Sequence, residues 1–205
     1  MEQFGVSRIT VRKAIDELSQ EGYLYKVQGK GTYVKGDKLS NALQSVNSCT
    51  EEIRRQGLIP TKKVLLATLE PCNKRCARQL EIAEGARVFH LKRIFYGDGA
   101  AVNVSEAIIN AQFFPEIEHF DFANESLYKV MESYYNVRVQ KATRYIEAVA
   151  AQGELTEHLA IPENYPVLLF QGITCADIRG KVVPVETFTT YYKTDKIKFY
   201  IDQTR

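Results

Sequence analysis

The sequence predicts an α+β fold with a mostly antiparallel sheet, and three observations predict it. Strand-like runs come in groups with helical patterns interspersed, without the one-for-one alternation of a parallel sheet. Two pairs of such runs flank short glycine turns, "QGKG" and "GDG", as hairpin strands do. The chain closes on a meander, "YPVLLFQGITCADI", "VVPVETFTTYY" and "KIKFYID", joined by short polar turns.

The elements follow in order. Val11, Ala14, Ile15 and Leu18 have the spacing of the apolar stripe of an amphipathic helix. Ser7 stands at its N-cap, where the hydroxyl can accept from the Thr10 N–H. Val6 and Val11 take the staple positions, and Gly22 is placed to end the helix in a left-handed turn. "YLYKVQGKGTYV" then reads as a hairpin turning at Gln28-Gly29-Lys30-Gly31. Residues 1–36 are thus a helix and a hairpin, too little to bury a core alone, and are expected to pack only with help from the linker or a partner.

Residues 37–45 are polar and read as a linker, with a larger domain over 46–205. Ser48-x-x-Glu51 is a capping box opening a helix that ends at Gly57. The strand "KKVLLATLEP" and the short helix "NKRCARQLEI" follow, then the hairpin of "ARVFHLKRIFY" and "AAVNVSEAII". The helix "ESLYKVMESYY", the long strand "VRVQKATRYIEAVAA" and the helix "GELTEHLAI" precede the meander.

Composition narrows the class. The chain has 205 residues, 45% hydrophobic and 25% charged, the balance of an ordinary globular protein. A net charge of +2 means that any nucleic-acid footprint must be local. No apolar run is long enough for a membrane span, and no signal pattern opens the chain. Cys49, Cys72, Cys76 and Cys175 are scattered, which fits reduced thiols in the cytoplasm and predicts no metal site. No cofactor loop is present either.

Arg8 and Arg12 lie one turn apart on the first helix, opposite its apolar stripe, with Lys13 beside them. Such a helix end suits the major groove, where arginine reads guanine edges or clamps phosphates; a solvated surface face is the plain alternative. The order of pieces favours DNA. Val6-Ser7-Arg8-Ile9-Thr10-Val11-Arg12, then Gly22-Tyr23-Leu24 and Gly29-Lys30-Gly31-Thr32, resembles the second half of the winged helix-turn-helix domain of GntR-type regulators. The resemblance implies that Ser7 and Thr10 touch phosphates, that Arg8 and Arg12 reach bases or phosphates, and that Gly29 and Lys30 form the wing tip. That family has a first helix and a complete second one ahead of this point, where this chain has only "MEQF". The chain is therefore expected to be a truncated form.

Residues 46–205 resemble the UTRA effector domain of the HutC subfamily, which shares its fold with chorismate lyase. The matches run in order: Ser48-Cys49-Thr50-Glu51, Lys92-Arg93, Phe114-Pro115, Ser126-Leu127-Tyr128, Ile146-Glu147-Ala148, Pro184-x-Glu186, Tyr192 and Asp195. Read as residues, Ser48, Cys49 and Thr50 offer free N–H groups and hydroxyls at a helix start. Ser48 and Glu51 can also simply cap that helix. Arg93 lies in an apolar strand and needs an anionic partner, from a ligand or from a carboxylate such as Glu186. Ser126 and Tyr128 open a helix, where capping and packing are the plain alternatives.

The resemblance implies that Ser48, Cys49, Thr50, Arg93 and Ser126 hold the phosphate of a sugar phosphate, with Glu186 and Tyr192 on its polar body. Two departures qualify the match. Ser105, beside Glu106, stands where many members carry a glutamate, and Phe95 stands where some sugar-phosphate binders carry a second arginine.

The expected function is a DNA-binding transcription regulator, a repressor, whose larger domain binds a small metabolite, a sugar phosphate, that modulates operator binding. The resemblance also implies a homodimer on a pseudo-palindromic operator. A ligand-binding and dimerisation module without DNA binding is the second alternative. A lyase-like enzyme is the third, disfavoured because His90, His119 and His158 sit in no catalytic motif.

Overall fold

The computed structural model of the protein describes residues 7–20, 24–27, 31–34, 39–42 and 46–200. The expected staple residue Val6, the helix stop at Gly22 and the wing-tip residues Gly29 and Lys30 lie outside the described residues. The chain divides into two compact units, Met1–Lys38 and Leu39–Arg205.

In the first unit α1 spans Arg8–Gln20. Its expected cap is present: the Thr10 N–H donates to Ser7 Oγ at 3.1 Å. The apolar stripe is only partly covered. Val11 and Ile15 are half-buried, Ala14 is exposed and Leu18 is 41% exposed. β1 (Leu24–Val27) and β2 (Gly31–Val34) pair antiparallel, with Val27 opposite Gly31. Gly31, at φ +121°, takes a conformation that side chains disfavour.

The second unit is built on six antiparallel strands in the order β4-β5-β6-β9-β8-β7. These are β4 (Pro60–Pro71), β5 (Arg87–Gly97), β6 (Ala100–Asn110), β7 (Val139–Ala150), β8 (Pro166–Ile178) and β9 (Lys181–Lys193). The "GDG" turn joins β5 to β6 through Asp98 and Gly99, both at positive φ (49° and 79°), as a tight hairpin needs. The helices α2 (Cys49–Arg55), α3 (Lys74–Leu80), α4 (Leu127–Ser133) and α5 (Glu154–Leu159) are short.

The linker expectation needs correction. Leu39–Ala42, inside residues 37–45, is a strand, β3, paired in parallel with β10 (Ile197–Tyr200). β10 is likewise not the last strand of the meander but the partner of β3. A parallel pair between distant segments has no hairpin turn to announce it, so neither strand shows its partner locally.

One sheet face packs Phe89, Leu91 and Ile109 against Phe114, Phe122, Val130 and Met131 from α4 and the turns before it. Along the same face a second cluster joins Ile53 of α2 to Phe95, Phe170, Tyr192 and Ile197. The opposite face is covered by α3, through Cys76 and Leu80, and by α5, through Leu159. The space between the two clusters of the first face is where the site lies.

Candidate functional site

Strand register assembles the site before any side chain is considered. One row across the sheet runs Arg93, Ser105, Thr190, Phe170, and the next runs Leu91, Ala107, Phe188, Gly172, Arg144. A third brings Ile109, Glu186 and Thr174 into line. Ser105 and Thr190 are short, with hydroxyl oxygens 2.9 Å apart, and Gly172 has no side chain. These positions form a low floor among large neighbours.

Gly172 is forced by close approach. A Cβ there would lie 2.0 Å from the Thr143 carbonyl oxygen and 2.9 Å from the Phe188 ring. Over the floor lie the starts of α2 and α4. The result is a cavity of about 50 Å³ lined by Ser48, Cys49, Thr50, Arg93, Ser126, Tyr128, Glu186 and Tyr192, with Glu52, Arg144 and the floor residues. Every residue expected at the effector site from the sequence is on its wall.

Arg93 is 6% exposed, and its Nε is buried without a hydrogen-bond partner. Among the described residues it forms no ion pair. Its guanidinium lies 4.9 Å from the centre of the Phe95 ring and 5.9 Å from that of Phe122. Burial lowers its pKa, which the nearby Cys49 and Glu186 oppose. Its cross-strand neighbour is Ser105. Glu106, one residue on, points to the other face, where Oε1 lies 2.5 Å from His90 Nε2. The two departures noted in the sequence therefore act together: Phe95 stacks on Arg93, and no carboxylate stands at 105 to pair it.

The carboxylates of the cavity are satisfied from within. The Tyr128 hydroxyl donates to Glu186 Oε2 at 2.7 Å and lies 3.2 Å from Thr174 Oγ1. Burial raises the Glu186 pKa, although these hydroxyls and Arg93 pull it back. The Tyr192 hydroxyl donates to Glu52 Oε2 at 3.0 Å, and burial first of all pushes Glu52 up to about 7. Cys49 Sγ lies 3.8 Å from the Tyr192 hydroxyl, and burial pushes this thiol up to about 12. The cavity thus holds two guanidinium groups, a protonated thiol and two carboxyl groups biased toward the neutral acid.

The helix starts divide. Ser48 is committed to the capping box, accepting from the Glu51 N–H at 3.3 Å and donating to Glu51 Oε2 at 2.9 Å. Its plain role is the one realised. Ser126, at the N-cap of α4, makes no side-chain cap bond and lines the cavity. Glu186 is not the partner of Arg93 but of Tyr128.

Glu52, Arg144, Phe170, Phe188 and Thr190 were not singled out in the sequence. Glu52 hides in the charged run "TEEIRR", although it shares a helix face with Cys49 and the buried Ile53. Arg144 is the one charge among Ala142, Ile146 and Ala148 on its face of β7.

On α1, Arg12, Lys13 and the Ser7 and Thr10 positions are exposed, and the Ser7 and Thr10 hydroxyl oxygens are 2.9 Å apart. Arg8 opens the helix. No described helix is long and apolar enough to cross a membrane.

Residues 55–198 match the UTRA domain family, and residues 1–34 match the bacterial regulatory proteins of the gntR family. The chain is 36% identical over 157 residues to the uncharacterized HTH-type transcriptional regulator YurK of Bacillus subtilis, covering 77% of this chain and 65% of YurK. It is 30% identical over 173 residues to the HTH-type transcriptional repressor NagR of Bacillus subtilis, covering 84% and 71%. The chain thus spans about two thirds of the length of these relatives. Its structure matches the crystal structure of PhnF from Mycobacterium smegmatis with a TM-score of 0.82 at 24% identity, covering 99% of this chain and 88% of that one. At that identity the likeness is one of fold.

Proposed function

The chain belongs to the UTRA-domain regulators of the GntR family, and from that premise we propose that it is a DNA-binding transcription regulator, a repressor, whose second unit binds a small anionic metabolite, a sugar phosphate. Its matched relatives are transcriptional regulators and not enzymes. The observation that carries the proposal is Arg93: a buried cation with an unpartnered Nε at the wall of a cavity, beside Ser126 and Thr50. A guanidinium in that position is matched by a phosphate, which accepts several hydrogen bonds at once.

Arg93, Thr50 and Ser126 hold the phosphate, with Ser48 and Cys49 shaping that end of the cavity. Tyr128, Glu186 and Tyr192 meet the hydroxyl-bearing body of the ligand. A sugar phosphate exceeds the present cavity, which has room for only a few waters. Binding therefore has to rearrange the lining of the cavity. That movement supplies the differential contact through which effector and operator affinities become coupled in a homodimer. Ser7, Arg8, Thr10, Arg12, Gly29 and Lys30 contact operator DNA, the first four from α1 and its cap.

Thermal unfolding against sugar phosphates and their unphosphorylated parents tests the effector half. A phosphorylated sugar at a hundredfold over its Kd should add roughly 2.7 kcal/mol of stability, and the gain should vanish in Arg93→Ala. A panel that leaves the melt unmoved removes the phosphate assignment. For the DNA half, fluorescence anisotropy with duplex DNA should show binding that weakens with salt and with Arg12→Ala.

A further inference from the structure

A second space adjoins the cavity that Arg93 lines. Thr50 and Ser126 line that cavity, and they also line a groove of about 420 Å³ formed by α2, α4 and the turn before α4. The two spaces therefore meet at the starts of these two helices. The groove has an aromatic wall, where the rings of Phe120 and the exposed Tyr134 stand edge to face with centres 4.9 Å apart.

Positive charge prevails around the groove. Arg54 enters it from α2 and Lys129 from α4, and among the described residues neither forms an ion pair. Lys62 of β4 donates from Nζ to the carbonyl of Glu125, a residue of the groove, at 2.7 Å. Lys62 is pushed down to about 8, first by burial and then by the charges of Arg93 and Arg54. A cation of the cavity and a cation of the groove thus act on the same lysine. The carboxylates nearby are Asp121 and Glu125, the two that pull Lys62 the other way. Asp121 is engaged by its own turn, accepting from the Ala123 N–H at 3.0 Å and from the Asn124 side-chain amide at 2.6 Å. A cleft lined by one sign of charge gathers ions of the other.

We propose that this groove is the outer half of the effector site, and that the effector carries a second anionic group, which Arg54 and Lys129 bind while Arg93 holds the first. The ligand class narrows from a sugar phosphate to a sugar with an anion at each end, a bisphosphate or a phosphorylated sugar acid. This inference rests on the effector reading above and deepens it. Arg54 supplies a planar fork of donors and Lys129 a point charge, a pair suited to phosphate or carboxylate. The groove also receives bulk that the cavity of about 50 Å³ cannot hold. Phe120 and Tyr134 offer the sugar an apolar surface there.

Titration calorimetry with alkane bisphosphonates of graded chain length, each against the alkyl monophosphonate of equal length, tests this. At the length that spans the two subsites, the bisphosphonate should bind the wild type at least about tenfold tighter than its monophosphonate, because the second contact is made within one molecule. The double variant Arg54→Gln, Lys129→Gln should lose that gain and keep its monophosphonate affinity within about twofold. Lys74→Gln, Arg78→Gln removes the same charge from exposed positions of α3, on the opposite sheet face, and should keep the gain. Far-UV spectra check that both double variants fold, and the wild-type series decides by itself if one does not. Monophosphonates that bind through Arg93, lost in Arg93→Ala, with no bisphosphonate advantage at any length overturn the outer subsite and leave the effector reading standing. An advantage that survives Arg54→Gln, Lys129→Gln, or that disappears equally in the α3 variant, overturns it as well. If neither class binds the wild type, the phosphate reading and this inference fall together.

Discussion

Arg93 and Glu186 are buried in the same cavity with opposite charge, and the protein treats them oppositely. Glu186 has a tyrosine hydroxyl at 2.7 Å and a pKa raised by burial. It can take up a proton and become a neutral acid, so its burial is tolerated without a cation. Arg93 cannot become neutral near physiological pH, and its Nε is left without an acceptor. A buried charge of that kind is unfavourable unless something arrives to meet it. The carboxylate end of the cavity is complete in the free protein; the arginine end is complete only with an anion.

The largest effect should come from removing that asymmetry. Arg93→Met fills similar volume without a charge. It should raise the stability of the ligand-free protein by about 1–3 kcal/mol, since apolar replacement of even a paired buried charge is often stabilising by about that much and Arg93 has no ion-pair partner among the described residues to lose. The same change should abolish stabilisation by a sugar phosphate, an affinity loss of a hundredfold or more. Ser105→Glu should act alike by another route, since it sets a carboxylate across the ladder from Arg93. Melting curves of both variants, with and without ligand, check this. A variant that loses stability and keeps its ligand response would show that Arg93 serves the fold.

How much of this could be read from the chain depends on how local the signal is. The hairpin of β5 and β6 was legible because its turn residues and alternating strands are contiguous. The capping box at Ser48 was legible for the same reason, and it formed as expected. Arg93 stood out as a charge in an apolar strand. Glu52 did not, because a second glutamate in a charged helix looks solvated until Tyr192, far along the chain, is known to sit above it. β3 was missed because four unremarkable residues become a strand only through β10, at the other end of the sequence.

Glu52 gives the next comparison, now between two carboxyl groups. Its pKa is raised from 4.5 to about 7, so the folded state binds a proton in that window that the unfolded state has released. Stability from this group is therefore highest below pH 4.5 and falls as pH rises to 7, by about 3 kcal/mol at most. Glu52→Gln should flatten the profile over that interval, checked by urea unfolding at stepped pH. Glu186 contributes with the same sign, so some slope should remain. His90 is a separate case. Its raised pKa, held up first by Glu106, places its loss of stability above pH 6.5, and Glu52→Gln should leave that limb in place.

Glu186→Gln should be the mildest of these changes. The carboxyl group is biased toward its neutral form, and glutamine reproduces the shape of a neutral acid and keeps an oxygen to accept from Tyr128. Stability at neutral pH should shift by about 1 kcal/mol or less. The consequence for the ligand is sharper than for the fold. If Glu186 meets the sugar body as a neutral acid, the amide substitutes for it and a neutral sugar phosphate binds within a few-fold of wild type. If the bound state uses the carboxylate, as an amine-bearing sugar would demand, affinity falls tenfold or more while the melt of the free protein barely moves. Titration calorimetry with a neutral and an amino sugar phosphate on this one variant separates the two ligand chemistries. It does so at the carboxylate end of the cavity, which Arg93 reaches through its charge and not through a hydrogen bond.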